Sequence, residues 1–122
     1  MKPGFIGIGA ISEHVITGLI QRSGFDEPII VSERSRKRSA RLADRFPSVR
    51  VEADNQVLVD QVDTVFVATL PQQTLDLLDT LTFRDDQTIV SLAAMISVEQ
   101  IAGKVKPASQ IHRIIPMPPN EI

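Results

Sequence analysis

Gly4-Phe5-Ile6-Gly7-Ile8-Gly9-Ala10-Ile11-Ser12, near the amino end, is the stretch from which the fold is read. Phe5, Ile6 and Ile8 form a short apolar run, and Gly7 and Gly9 interrupt it. From there Ile11, Val15, Leu19 and Ile20 recur at helical spacing, so the pattern predicts a strand, a glycine turn and a helix reaching about residue 22. The turn reads G-x-G-x-x-S. A Cβ would obstruct the turn at Gly7, and Gly9 would let an anion approach bare backbone. The helix behind it aims unpaired N–H groups and the positive end of its dipole at the same place. This is the chemistry of a dinucleotide diphosphate site, with small Ser12 where Gly or Ala is usual. A glycine-rich turn with no ligand satisfies the same letters, and what favours the functional reading is the repeating strand–helix pattern that follows.

That pattern runs to the end of the chain. The helix carries Gly18 in its interior, which predicts close contact with the sheet, and Gly24 is suited to a left-handed cap. Ile29-Ile30-Val31-Ser32 reads as a strand covered on both faces. A basic helix over about 35–46 follows, with Ala40, Ala43 and Phe46 facing in, and Pro47 stops it. Val49-Arg50-Val51 is a third strand, and Asp54 caps a helix through about 61. Val62 to Ala68 and Thr88 to Ala94 are the next strands, with Pro71 opening the helix between them and Leu75, Leu78 and Leu81 as its buried stripe. Ser97-x-x-Gln100 is a capping box for a helix burying Val98, Ile101 and Val105, and a sixth strand spans 110–116. Alternation of this kind predicts an α/β fold: a Rossmann-type doubly wound parallel sheet, three-layer αβα, in a single domain. The expected strand order is 3-2-1-4-5-6, with a cofactor across the switch point between the first and fourth strands.

Composition narrows the function classes. A net charge of −2 gives no general attraction to nucleic acid or anionic lipid, and the lack of Trp and Tyr argues against base-stacking platforms. With no cysteine there is no disulfide, thiolate nucleophile or zinc–thiolate site. No apolar run reaches membrane-spanning length, and Gly7 and Gly9 break up any leader-like segment, so a cytoplasmic location is expected. His14 reads as a helix-surface residue, His112 as structural within the last strand, and Asp85-Asp86 as a turn; none forms a metal-ligand or catalytic spacing.

The end of the second strand is where a dinucleotide fold meets the adenosine ribose. It reads Glu33-Arg34-Ser35-Arg36-Lys37-Arg38. Glu33 favours a free 2′-hydroxyl and hence NAD; Arg34 with Ser35 favours a 2′-phosphate and hence NADP. Five basic residues between Arg34 and Arg41 tip the balance to NADP. Lys37 and Arg41 read as a solvated helix face, and Ser35 also has the plain task of capping the helix.

These motifs together resemble the amino-terminal domain of pyrroline-5-carboxylate reductase and the related deazaflavin-dependent NADP oxidoreductases, over nearly the whole chain. Phe5 to Glu13 is similar to that family's FIGxGNMAE opening, Ser32-Glu33-Arg34-Ser35 to its S-N-R-S corner, Asp63 to Gln72 to its D-V-V-x-L-A-V-K-P-Q block, Ser91 to Ser97 to S-I-A-A-G-I-S, and Arg113 to Pro119 to R-V-M-P-N-T-P. Leu70, Met95 and Met117 depart from those patterns, standing where the family has Lys, Gly and Asn. The resemblance implies an NADPH-dependent reductase acting on a cyclic imine or small carbonyl, in proline biosynthesis or a related reduction. It places the diphosphate on Gly7, Gly9, Ala10 and Ile11, the ribose at Glu33, Arg34 and Ser35, and the adenosine by Asn55. Ala68, Thr69, Leu70, Pro71, Ala93 and Pro116 would meet the nicotinamide. Residues 1–119 would then be the NAD(P)-binding domain, and 120–122 the start of an exit to a C-terminal helical domain that dimerises and completes the active site. A non-catalytic nucleotide-sensing module is the alternative. Leu70 and Met117 in place of the family's Lys and Asn, and the lack of the second domain in this sequence, favour it.

Overall fold

The computed structural model describes residues 1–7, 10–33, 36–92 and 96–114. Strands and helices alternate through them: β1 (Pro3–Ile6), α1 (Ala10–Gln21), β2 (Ile29–Ser32), α2 (Arg36–Arg45), β3 (Val49–Glu52), α3 (Asn55–Gln61), β4 (Thr64–Val67), α4 (Pro71–Asp79), β5 (Thr88–Ser91), α5 (Val98–Ala102) and β6 (Gln110–Arg113). The six strands form one sheet in the expected order, β3-β2-β1-β4-β5-β6, and every neighbouring pair is parallel.

Alternating side chains send two cores to opposite faces of this sheet. Phe5, Val31, Phe66 and Val90 pack with Ile16 of α1 and Leu42 of α2. Val65, Val67 and Ile89 pack with Leu58 and Val59 of α3, Leu78 of α4 and Ile101 of α5. Phe5 and Phe66, opposite each other in the β1–β4 register, stack with ring centroids 4.3 Å apart. On the other face α3 crosses close over β1, since a Cβ on Gly4 would come within 2.7 Å of Leu58 Cδ2.

The helix ends follow their capping residues. Asp54 Oδ1 accepts from the Gln56 and Val57 amides, the Ser97–Gln100 capping box is complete, and Gly24 takes φ +65° just after α1. Four expectations need correction. Ala40 of α2 is exposed; Ser39 and Leu42 face in, because the inward face of this basic helix falls at 39, 42 and 46. Val98, in the first turn of the short α5, is exposed; Ile101 carries its packing, and Val105 is buried in the turns after the helix ends at Ala102. A Cβ on Gly18 would meet nothing within 4 Å, so no close approach to the sheet explains that glycine. His112 is exposed on the outer strand and takes no part in the core.

The amino end is tied to β4 through Asp63. Its Oδ1 accepts from the Lys2 amide at 2.8 Å and from Thr64 Oγ1 at 2.9 Å. Burial pushes this carboxyl upward, but those two bonds and the positive charges of the amino terminus and Lys2 outweigh it, leaving the group below the usual aspartate value. Among the described residues no helix is long and apolar enough to cross a membrane.

Candidate cofactor site

The turns after β1 and β4 lie side by side at the carboxyl edge, where the strand order reverses. Gly7 leaves β1 at φ +85°, and a Cβ there would stand 2.9 Å from Thr69 Cγ2 and 3.0 Å from both Ala68 C and Thr69 N. Both the backbone angle and the space thus require glycine. The turn is held by hydroxyls. Gly7 N–H donates to Ser32 Oγ at 3.0 Å, Ser12 Oγ donates to the Gly7 carbonyl at 2.8 Å, and Ser39 Oγ donates to the Ser32 carbonyl at 2.6 Å. All three serines are buried. Gly7 therefore shapes the turn, and its own amide is already engaged within the protein.

Ala10 and Ile11 open α1, whose first-turn amides have no intrahelical acceptor and point out of the helix start. Ile11 is exposed there. Gly9 lies outside the described residues, as do Arg34, Ser35, Ala93, Met95, Pro116 and Met117, so the structure gives no account of those assignments. At the ribose corner Ser32 ends β2, Glu33 is half-buried, and α2 starts at Arg36. Lys37 is exposed, as expected of a solvated face. Arg41 is exposed as well but is ion-paired: together with Arg38 it meets Glu13 of α1. Asn55 is the half-buried first residue of α3, just past its Asp54 cap.

Across the switch point, Ala68 extends the β1–β4 ladder through its amide to the Ile6 carbonyl. Thr69 is buried, and its Oγ1 lies 2.9 Å from Thr74 Oγ1. Thr74 Oγ1 is also within donating distance of the Leu70 carbonyl at 3.0 Å and the Thr69 carbonyl at 3.4 Å. Pro71 occupies the first helical position of α4, and Leu70 ahead of it is 57% exposed. The turn thus presents an apolar side chain over a rigid polar base.

The described part of this edge offers shape, amides and apolar surface. Among the described residues no group of His, Asp and Glu could hold a metal ion. His14 is exposed on α1, and Asp85-Asp86 is a turn, with Asp86 paired to Arg84. The backbone-facing roles of Ser32, Ser39 and Thr74 were not anticipated from the sequence. The one available signal was small polar residues at positions that the helical and strand periods turn inward, where a buried hydroxyl requires a partner.

Proteins of known sequence and structure agree with this geometry. Pyrroline-5-carboxylate reductase of Corynebacterium melassecola is 29% identical over 119 residues, covering 93% of this chain and 44% of its own length. The crystal structure of 1-pyrroline-5-carboxylate reductase from Streptococcus pyogenes superposes with a TM-score of 0.76 at 34% identity, covering 93% of this chain and 41% of that one. The Coxiella burnetii pyrroline-5-carboxylate reductase does so with a TM-score of 0.81 at 28% identity, covering 97% and 44%. The chain thus spans less than half the length of these three reductases. The family model described as NADP oxidoreductase, coenzyme F420-dependent, matches residues 2–95, and the chain belongs to that family.

Proposed function

We propose that this chain is the NADP-binding part of a reductase that transfers hydride to the carbon of a C=N bond in a small substrate such as a cyclic imine. The observation that carries this reading is the packing of the Gly7 turn against Ala68 and Thr69 at the point where strand order reverses. The names of its relatives support the reaction class. When bound, the nicotinamide supplies the hydride. The residues of this chain hold and orient. The start of α1 offers amides and dipole to the diphosphate, with Gly9, Ala10 and Ile11 as its floor. Arg34 and Ser35 take the 2′-phosphate, with Glu33 beside them and Asn55 near the adenosine. Ala68, Leu70, Pro71 and Ala93 are the residues assigned to the nicotinamide, with Thr69 buried as the polar base of the β4–α4 turn. An imine nitrogen is basic enough to arrive protonated from solvent, so this part needs no general acid of its own. On the same reading, substrate closure and dimerisation belong to a C-terminal helical domain.

Titration with NADPH and NADH, followed by nicotinamide emission, tests the reading. Binding of NADPH is expected, and no binding of either nucleotide at about millimolar concentration ends it. Arg34→Ala is expected to weaken NADPH by about 1.5–3 kcal/mol and to leave NADH nearly unchanged, the usual worth of hydrogen bonds to a charged group. An equal loss for both would transfer the ribose contact to Glu33 and make NAD the cofactor.

A nucleotide-sensing module without turnover is the second reading. It is favoured by Leu70, an exposed apolar side chain at the mouth of the β4–α4 turn, where the family block carries a lysine. Tight nucleotide binding without reduction of any cyclic imine by the protein joined to its helical partner domain would select it.

A further inference from the structure

Resting on that cofactor reading, we propose that Glu13 sets how strongly the site prefers a 2′-phosphorylated nucleotide, by holding two arginines that would otherwise face the phosphate. Glu13 is the fourth residue of α1, and Arg38 is the third residue of α2. Each carboxylate oxygen takes a different guanidinium. Arg38 Nη1 donates to Oε2 at 3.1 Å, and Arg41 Nη2 donates to Oε1 at 2.7 Å. The anion is the more enclosed partner: its side chain is 22% exposed, against 41% for Arg38 and 62% for Arg41. One acid thus sits under two cations at the seam between the helix that begins the diphosphate site and the helix that begins at the ribose corner.

The two ligands differ at that corner by one group. A 2′-phosphate and the Glu13 carboxylate are the same kind of partner for a guanidinium, planar forks of N–H meeting anionic oxygens, so they compete. A 2′-hydroxyl makes no such demand. Glu13 also repels the incoming phosphate directly, and at this exposure the repulsion is moderate and salt-sensitive. The basic face of α2 is therefore weaker for phosphate than its sequence implies, and Glu13 acts as a specificity-determining, positioning residue. It touches no reacting atom. A plain tie between neighbouring helices would instead loosen both turns together and weaken both nucleotides alike.

The experiment compares the full chain with Glu13→Gln. NADPH and NADH are titrated by nicotinamide emission and adenosine 2′,5′-bisphosphate by calorimetry, with far-ultraviolet circular dichroism confirming the fold. Because exposed ion pairs add little to stability, Glu13→Gln is expected to stay folded. The NADPH-to-NADH affinity ratio should rise about three- to tenfold, the bisphosphate should gain in parallel, and the gain should shrink in about 0.5 M salt. Adding Arg38→Gln and Arg41→Gln to that variant should erase the gain. A ratio that stays put or falls, or equal losses for both nucleotides, overturns the proposal while leaving the cofactor reading standing. A wild-type chain that binds neither nucleotide ends both. If Glu13→Gln does not fold, Glu13→Asp, which reaches only one guanidinium, should show part of the same rise, and no rise overturns the proposal.

Discussion

In the half of the sheet built from β1, β2 and β3, the buried hydroxyls of Ser12, Ser32 and Ser39 gather at the carboxyl edge, around the Gly7 turn. In the half built from β4, β5 and β6, the buried Thr69–Thr74 pair also lies at the carboxyl edge, but a second polar network sits at the opposite edge. Gln87, just ahead of β5 and fully buried, donates from Nε2 to the Val59 carbonyl at 2.7 Å and the Val62 carbonyl at 2.9 Å, and accepts the Arg84 amide at 2.8 Å. Arg84 adds bonds to the Asp60 and Val62 carbonyls, so a cation and an amide close the carboxyl end of α3. Two buried polar networks of similar size therefore serve different ends. One fixes the shape of the turn at which the nucleotide is proposed to bind. The other closes a helix end far from that edge. If this division is right, mutation can separate stability from nucleotide binding.

Gly7→Ala should break both at once and gives the largest effect. The added methyl meets backbone at 3.0 Å, at Ala68 C and Thr69 N, as well as Thr69 Cγ2, and the residue must hold φ +85°. Neighbouring backbone on a central strand has little room to shift. A loss of about 3 kcal/mol in urea unfolding is expected, from left-handed strain plus overpacking. Circular dichroism is the probe, since the chain has no Trp or Tyr. Nucleotide affinity should drop by about thirtyfold or more, because the two turns must part to admit the methyl. Retained affinity in a folded Gly7→Ala chain would mean that the β1 turn does not carry the diphosphate.

Gln87→Leu should break only stability. The side chain is near in volume, so the cost comes from lost bonds: the Arg84 amide loses its side-chain acceptor, and the Val59 and Val62 carbonyls each lose one bond, keeping the Val62 amide and Arg84 respectively. About 1–3 kcal/mol is expected from leaving the Arg84 amide without that acceptor and weakening two carbonyls. With the chain still folded, nucleotide affinity should stay within about twofold, since Gln87 and the α3 end lie at the far edge of the sheet. A large loss of affinity at full occupancy of the folded state would show that the two networks are coupled through α3.

Most of the architecture could be read in advance, and the reasons are local. Glycine punctuation, β-branched runs, Pro71 at a helix start and the Ser97–Gln100 box each announce themselves within a few residues. The parallel sheet followed from alternation and crossover handedness, and the strand order from reading the glycine turn as a dinucleotide-fold motif. What escaped reading depends on distant partners. Gln87 and Val59 are 28 residues apart, and Arg38 and Glu13 are 25 apart, with no periodicity linking them. Helix α2 misled for a different reason. Its interior has so few apolar residues that Ala40 looked like core, whereas Ser39 fills the inward position by bonding the Ser32 carbonyl. At the site, the need for glycine at position 7 was legible from the turn it must make, but half of the reason was not: the crowding comes from Ala68 and Thr69, far along the chain.

Gly18→Ala sharpens the comparison with the smallest expected effect, and of opposite sign. Gly18 lies inside α1, the helix whose start is the proposed diphosphate site, yet a Cβ there meets nothing within 4 Å. Its backbone is helical, so alanine brings no strain and removes the entropy that glycine forfeits on folding. A gain of about 0.5–1 kcal/mol in urea unfolding is expected. The diphosphate end of α1 lies two turns away and is held by Ser12 on the Gly7 carbonyl, so nucleotide affinity should be unchanged. A stabilised chain that binds nucleotide less well would show that the ligand-facing half draws on the looseness of α1. Its serines would then hold a turn that still has to move, and the contrast with the closed end of α3 would be one of mobility as well as of placement.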